Sequence, residues 1–107
     1  MNVKNRIAIV TGSASGIGQA IVKRLAAHGA KTVVVDINQE SADKTAAEIR
    51  AEQGHAIAIG CNVTNKAEVQ AMVQKVLEQH GQIDILVNNV GIVRDNSITK
   101  MPEEEWD

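Results

Sequence analysis

Apolar residues along this chain fall into two kinds of run, and the two kinds alternate. Ile7-Ala8-Ile9-Val10, Thr32-Val33-Val34-Val35, Ala56-Ile57-Ala58-Ile59 and Ile83-Asp84-Ile85-Leu86-Val87 are short and carry little polar alternation. Runs of this kind, rich in β-branched residues, predict strands buried on both faces, as in a parallel sheet. Between them the apolar positions recur at helical spacing. The first helical pattern spans Ile17 to His28 and stops at Gly29, a signal for a left-handed cap. The second spans Gln39 to Gln53, with Asn38 as its cap, Gly54 as its stop, and Ala42, Ala46, Ile49 and Gln53 along one face. The third spans Lys66 to His80. Thr64 or Asn65 caps it, Val69, Met72, Val73, Val76 and Leu77 form its stripe, and Gly81 ends it.

Three βα units joined by short loops imply right-handed crossovers, and hence an open parallel α/β sheet with helices on both faces. The 107 residues make one domain, 1–107, without a linker, a low-complexity tract or a solenoid repeat. Past the fourth strand, Asn88-Asn89-Val90-Gly91 reads as a turn. Pro102-Glu103-Glu104-Glu105 reads as the first turn of a helix, with its acids near the positive end of the dipole. The sheet is therefore expected to be truncated after its fourth strand, leaving an edge open to self-association with other chains.

Composition removes several partners. A net charge of −2 gives no reason to expect nucleic acid or an acidic membrane surface. No run of ~18 apolar residues is present to span a membrane. The apolar run after Met1–Arg6 is too short for the core of a signal peptide. The single cysteine, Cys61, cannot form an internal disulfide, which fits a reducing, cytoplasmic setting. There is no Tyr, no Phe and one Trp, Trp106.

The chemistry concentrates at Thr11-Gly12-Ser13-Ala14-Ser15-Gly16-Ile17-Gly18, between the first strand and the first helix. Gly12 lets the chain turn sharply off the strand. Gly16 leaves bare backbone where a pyrophosphate would approach, and Gly18 is expected to let the helix pack closely on the sheet. The first N–H groups of a helix have no intrahelical partner and lie at the positive end of its dipole, so a diphosphate fits there. On this reading the strand order is 3-2-1-4, as in the first half of a Rossmann-like dinucleotide fold. Asp36, at the end of the second strand, stands where a ribose-binding acid is expected. Asn62 and Val63, after the third strand, would meet the adenine, Asn62 at its edge and Val63 against its face. No Gly-Lys-Ser/Thr follows the glycines, which disfavours a P-loop.

The remaining polar candidates have plainer readings. Ser13, Ser15 and Ser41 lie near helix starts, where capping is the default. His28 and His80 precede helix-ending glycines, where an imidazole suits the dipole, and no pair of histidines has metal-ligand spacing. Cys61 has no His or Lys beside it in sequence and reads as a small buried residue.

Taken together, Thr11 to Gly18, Asp36, Asn62-Val63 and Asn88 to Gly91 resemble the short-chain dehydrogenase/reductase family from Lys4 onward. The last of these departs from the family's Asn-Asn-Ala-Gly at Val90. The tail, Gly91 to Asn96 and Glu103 to Asp107, is most similar to the 3-oxoacyl-acyl-carrier-protein reductase branch. The resemblance implies a nicotinamide dinucleotide held by Gly12, Ser13, Ser15, Gly16, Ile17, Gly18, Asp36, Ile37, Asn62, Val63, Asn89 and Gly91. It makes Asn88 mainly a brace of the sheet. It implies NAD ahead of NADP, because Asp36 would repel a 2′-phosphate and Ser15 stands where NADP-preferring members often carry Arg or Lys. It also implies a homo-oligomer for a full-length member. The family's Ser and Tyr-x-x-x-Lys, which act on the substrate carbonyl, have no counterpart here, so this chain alone is expected to be inactive and to have no catalytic residue. The alternatives are a stand-alone nucleotide-binding or regulatory module and a structural or interaction fragment.

Overall fold

The computed structural model describes residues 2–89. The expected helix turn at Pro102–Glu105 and the residues Val90 and Gly91 lie outside that range. Seven elements follow in the order β1 (Ile7–Thr11), α1 (Gly16–Ala27), β2 (Lys31–Asp36), α2 (Gln39–Ala51), β3 (His55–Gly60), α3 (Lys66–His80) and β4 (Ile85–Val87). The four strands form one parallel sheet in the order β3-β2-β1-β4.

The alternation of side chains along each strand splits the core in two. Ala8, Val10, Val34 and Ala56 face one side, where Val22, Leu25 and Ala26 of α1 and Ala42, Ala46 and Ile49 of α2 cover them. Ile7, Ile9, Val33, Val35 and Ile59 face the other, with Met72 and Val76 of α3. Helices therefore lie on both faces. Val33, Val34 and Val35 are all fully buried, which is why β2 shows no polar alternation in the sequence. After β3 the chain returns across the sheet to place β4 on the far side of β1. That reversal puts a topological switch between β1 and β4, and a crevice beyond their C-terminal ends.

Three details differ from the sequence reading. α2 ends at Ala51, and Gln53 sits exposed in a left-handed conformation (φ 73°) rather than on the apolar face. Leu77 is exposed, so the stripe of α3 buries Met72 and Val76 and only partly Val69 and Val73. β4 begins at Ile85 instead of Ile83, because Asp84 turns its carboxylate back onto the sheet. Asp84 Oδ2 accepts from the Ile7 N–H at 2.8 Å, and the Asp84 N–H donates to the Ile7 carbonyl at 2.9 Å. Gln82 and, at 3.7 Å, Arg6 also meet this carboxylate. These contacts, led by the Ile7 N–H, hold the Asp84 pKa below its ordinary value.

Candidate functional site

The glycine turn lies at the switch point. Gly12 and Gly16 both have positive φ (61° and 59°), a conformation costly for most side chains. A Cβ added at Gly16 would meet nothing within 4 Å, so the turn is open to solvent there. Gly18 has a different reason from the one its spacing suggested. A Cβ there would run into the Gly12 carbonyl oxygen, and would lie 2.9 Å from Asn89 Nδ2. The close approach is helix to turn, not helix to sheet.

The start of α1 is uncapped. Ser15 occupies the N-cap position in extended backbone, yet its side chain makes no capping hydrogen bond, and the first turn holds no acid. α2 and α3 are capped as expected, by Asn38 to the Ser41 N–H and by Asn65 to the Glu68 N–H. So the N–H groups at the head of α1 are left for another acceptor. Ile17, beside them, is 73% exposed, and Ile37, at the end of β2, is 72% exposed.

Ser13 does not face this opening. Its hydroxyl is fully buried, donates to the Val10 carbonyl at 2.7 Å and accepts from the Val35 N–H at 3.1 Å. Its own N–H donates to the Val35 carbonyl. Ser13 thus continues the β1–β2 pairing into the turn and holds it from behind. The hydroxyl expected against a cofactor is turned into the fold, with both its hydrogen bonds made to backbone.

Asp36 faces the turn. Its Oδ2 accepts from the Ala14 N–H at 3.2 Å and its Oδ1 from the Asn38 N–H at 3.1 Å. A carboxylate has about four acceptor positions, so roughly two remain for a ligand's hydroxyls. Ala14 is held from its other side by Gln19 Nε2 at 3.3 Å and by the Thr45 hydroxyl at 3.5 Å. Neither residue carried any sequence signal, since each meets its partner only through the packing of α1 and α2.

Asn62 is tied into its own turn. Its side-chain oxygen already accepts from the Thr64 N–H at 3.0 Å and the Thr64 hydroxyl at 2.6 Å, so it is not available to an amino group. What Asn62 offers a ligand is its amide NH₂. Val63 is partly buried against the core on the α3 side. Across the crevice, the Thr11 hydroxyl accepts from the Asn89 N–H at 3.0 Å and lies 3.2 Å from Asn88 Oδ1. Asn89 Nδ2 donates to the Gly12 carbonyl at 3.4 Å. Asn88 and Asn89 therefore stitch the end of β4 to the glycine turn. Gly91 lies outside the described residues. Cys61 is buried, and burial, with the nearby Glu68 carboxylate, pushes its thiol pKa up, which disfavours the thiolate.

A recess lined by Lys23, Ala26, Ile49 and Gln53 between the C-terminal ends of α1 and α2 contains none of the glycine-turn residues. Among the described residues no group of His, Cys, Asp and Glu could hold a metal ion, and no helix is long and apolar enough to cross a membrane.

A parallel sheet in this order, with an open glycine turn at its switch point and an acid at the end of β2, defines an α/β fold of the Rossmann type. Residues 6–107 match the short chain dehydrogenase family. The chain belongs to that family of oxidoreductases. It is 37% identical over 107 residues to the 3-oxoacyl-[acyl-carrier-protein] reductase of Thermotoga maritima, covering all of this chain and 44% of the relative. A crystal structure of a hydroxysteroid dehydrogenase from Escherichia coli superposes with a TM-score of 0.82 at 38% identity, over 84% of this chain and 38% of that one. A 3-ketoacyl-(acyl-carrier-protein) reductase from Brucella melitensis, complexed with NADH, superposes with a TM-score of 0.72 at 36% identity, over 78% of this chain and 34% of that one. The chain spans less than half the length of these relatives.

Proposed function

We propose that this chain is the NAD-binding part of a short-chain oxidoreductase, similar to the 3-oxoacyl-acyl-carrier-protein reductases. The observation that carries this reading is the uncapped start of α1 beside Gly16, where N–H donors, a positive dipole end and open space coincide. The pyrophosphate would sit on the backbone of Ser15 to Gly18. Asp36 would accept from the adenosine ribose hydroxyls with its remaining lone pairs. Ile17 and Ile37 would cover apolar parts of the dinucleotide, Asn62 and Val63 would border the adenine, and Asn89 and Gly91 would close the other side. Ser13 supports the turn without touching the ligand. When bound, the cofactor supplies or takes up hydride at a carbonyl or alcohol carbon.

NAD is the cofactor this site favours, since a 2′-phosphate would meet the Asp36 carboxylate without a guanidinium to receive it. The NADH in the Brucella melitensis relative is in keeping with this reading. The test is titration of the chain with NAD, NADP and AMP by calorimetry. NAD and AMP should bind weakly and NADP more weakly still; equal affinity for NAD and NADP would refute the preference. Without a tyrosine anywhere in the sequence, the chain by itself should not turn over a 3-ketoacyl thioester with NADH. Turnover abolished in Gly16→Asp would show that another acid is at work.

The same residues would serve a stand-alone nucleotide-binding module, and a cytoplasmic setting suits both. β4 pairs only with β1 among the described residues. We therefore also expect the isolated chain to self-associate through that edge. A well-folded monomer in sedimentation at tens of micromolar, roughly where exposed edges drive association, would rule this out.

A further inference from the structure

We infer that Gln39 is a positioning residue for the adenosine end of the site, because it locks the loop after β2 onto the loop after β3. This rests on the dinucleotide reading above. Gln39 is the first residue of α2. Its Oε1 accepts from the Gly60 N–H at 2.7 Å, and its Nε2 donates to Asp43 Oδ1 at 2.9 Å. Asp43 accepts only, so it fixes which end of the amide faces Gly60. Gly60 is shaped for this contact: a Cβ there would lie 2.6 Å from Gln39 Oε1 and 3.1 Å from Gln39 Cβ.

The same junction is closed beside it by the Cys61 N–H, which donates to the Asp36 carbonyl at 2.9 Å. Gly60 pairs in register with Asp36. The clamp therefore joins the segment that carries Asp36 and Ile37 to the one that carries Asn62 and Val63. Further on, Asn62 is held by its N–H to Glu68 Oε1 at 2.9 Å. Gln39 controls where this second segment starts, and so the width of the slot between Ile37 and Asn62. It touches neither the glycine turn nor the Asp36 carboxylate, so its influence is confined to the base end of the ligand.

The experiment is an NMR titration of the chain with AMP and with ribose 5-phosphate, which presents the sugar and phosphate but no base. Gln39→Ala should weaken AMP about fivefold, the size of one lost hydrogen bond, and change ribose 5-phosphate by less than about twofold. Gly60→Ala, whose backbone tolerates a side chain, should reproduce the loss by displacing Gln39. The double variant should be no worse than either, because both remove one contact. Gln39→Glu combined with Asp43→Asn keeps an acceptor toward Gly60 and a hydrogen bond to position 43, and should restore AMP binding. An unchanged AMP to ribose 5-phosphate ratio in Gln39→Ala, equal weakening of both ligands, or full additivity of the two variants would overturn this role alone. Failure of the unmutated chain to bind AMP would overturn the dinucleotide reading and this role with it.

Discussion

The heads of the three helices lie at the same end of the sheet and are built in two ways. α2 and α3 satisfy their own first turns, each with an asparagine cap and a glutamate in the first turn. α1 has a serine at the equivalent position that does not cap and no acid nearby. A helix that needed only to be stable would not forgo both. The difference sets α1 apart: its first donors have no partner from a capping side chain, as the proposed pyrophosphate site requires, while α2 and α3 close their own starts.

Four measurements would break or sharpen that contrast, taken from the largest expected effect to the smallest. Gly16→Asp places a negative charge at the head of α1 and should weaken NAD by more than about tenfold. Its fold should survive, since Asp tolerates left-handed backbone better than most residues. Retained NAD binding in a folded Gly16→Asp would mean that the α1 donors are not the anion site.

The second variant lies at the opposite end of the sheet. Asp84→Asn should lower stability at neutral pH by about 1–2 kcal/mol, the premium of a charged over a neutral acceptor, and leave nucleotide binding alone. The pH dependence has a definite sign. The folded pKa of Asp84 lies below its ordinary 3.8, so its contribution is complete above that value and is lost as pH falls through the lowered one. Denaturant melts between neutral and strongly acid pH should show the unmutated chain losing stability at the acid end more steeply than Asp84→Asn. Parallel curves would deny Asp84 this role.

Third, Asn65→Ala should cost about 1 kcal/mol of stability, as for a typical lost cap, again without an effect on binding. Fourth, Ser15→Ala should change stability by less than about 0.5 kcal/mol, as at a surface position away from special contacts. A Ser15→Ala loss equal to that of Asn65→Ala would erase the distinction between the two kinds of helix start.

These contrasts also show what a one-dimensional reading can hold. The strands and all three helices were legible because buried β-branched runs and helical stripes are local patterns; the sheet order followed only through the likeness of the glycine turn to a dinucleotide fold. The glycine turn and the position of Asp36 were legible because both are short motifs at the ends of strands. The roles of the serines were not. Ser13 and Ser15 look alike as cap candidates, yet one is buried as a sheet partner of Val35 and the other is left open. Which is which depends on where β2 lies, and that is tertiary information. Asn62 is a similar case: a turn of three residues claimed its oxygen before any ligand could. Gln19, Thr45 and Gln39 act across elements and have no counterpart in local spacing.

The aliphatic core has a practical side. With no Tyr or Phe and a single Trp at position 106, the described residues contain none of the side chains that absorb in the near ultraviolet. Intrinsic fluorescence and near-ultraviolet dichroism would report on Trp106, and on no side chain of the described sheet or glycine turn. Unfolding of this protein has to be followed through its backbone, by far-ultraviolet dichroism or amide exchange. Binding of a reduced nicotinamide cofactor can be followed through the absorbance and fluorescence of its dihydronicotinamide ring, at wavelengths longer than those that a tryptophan absorbs.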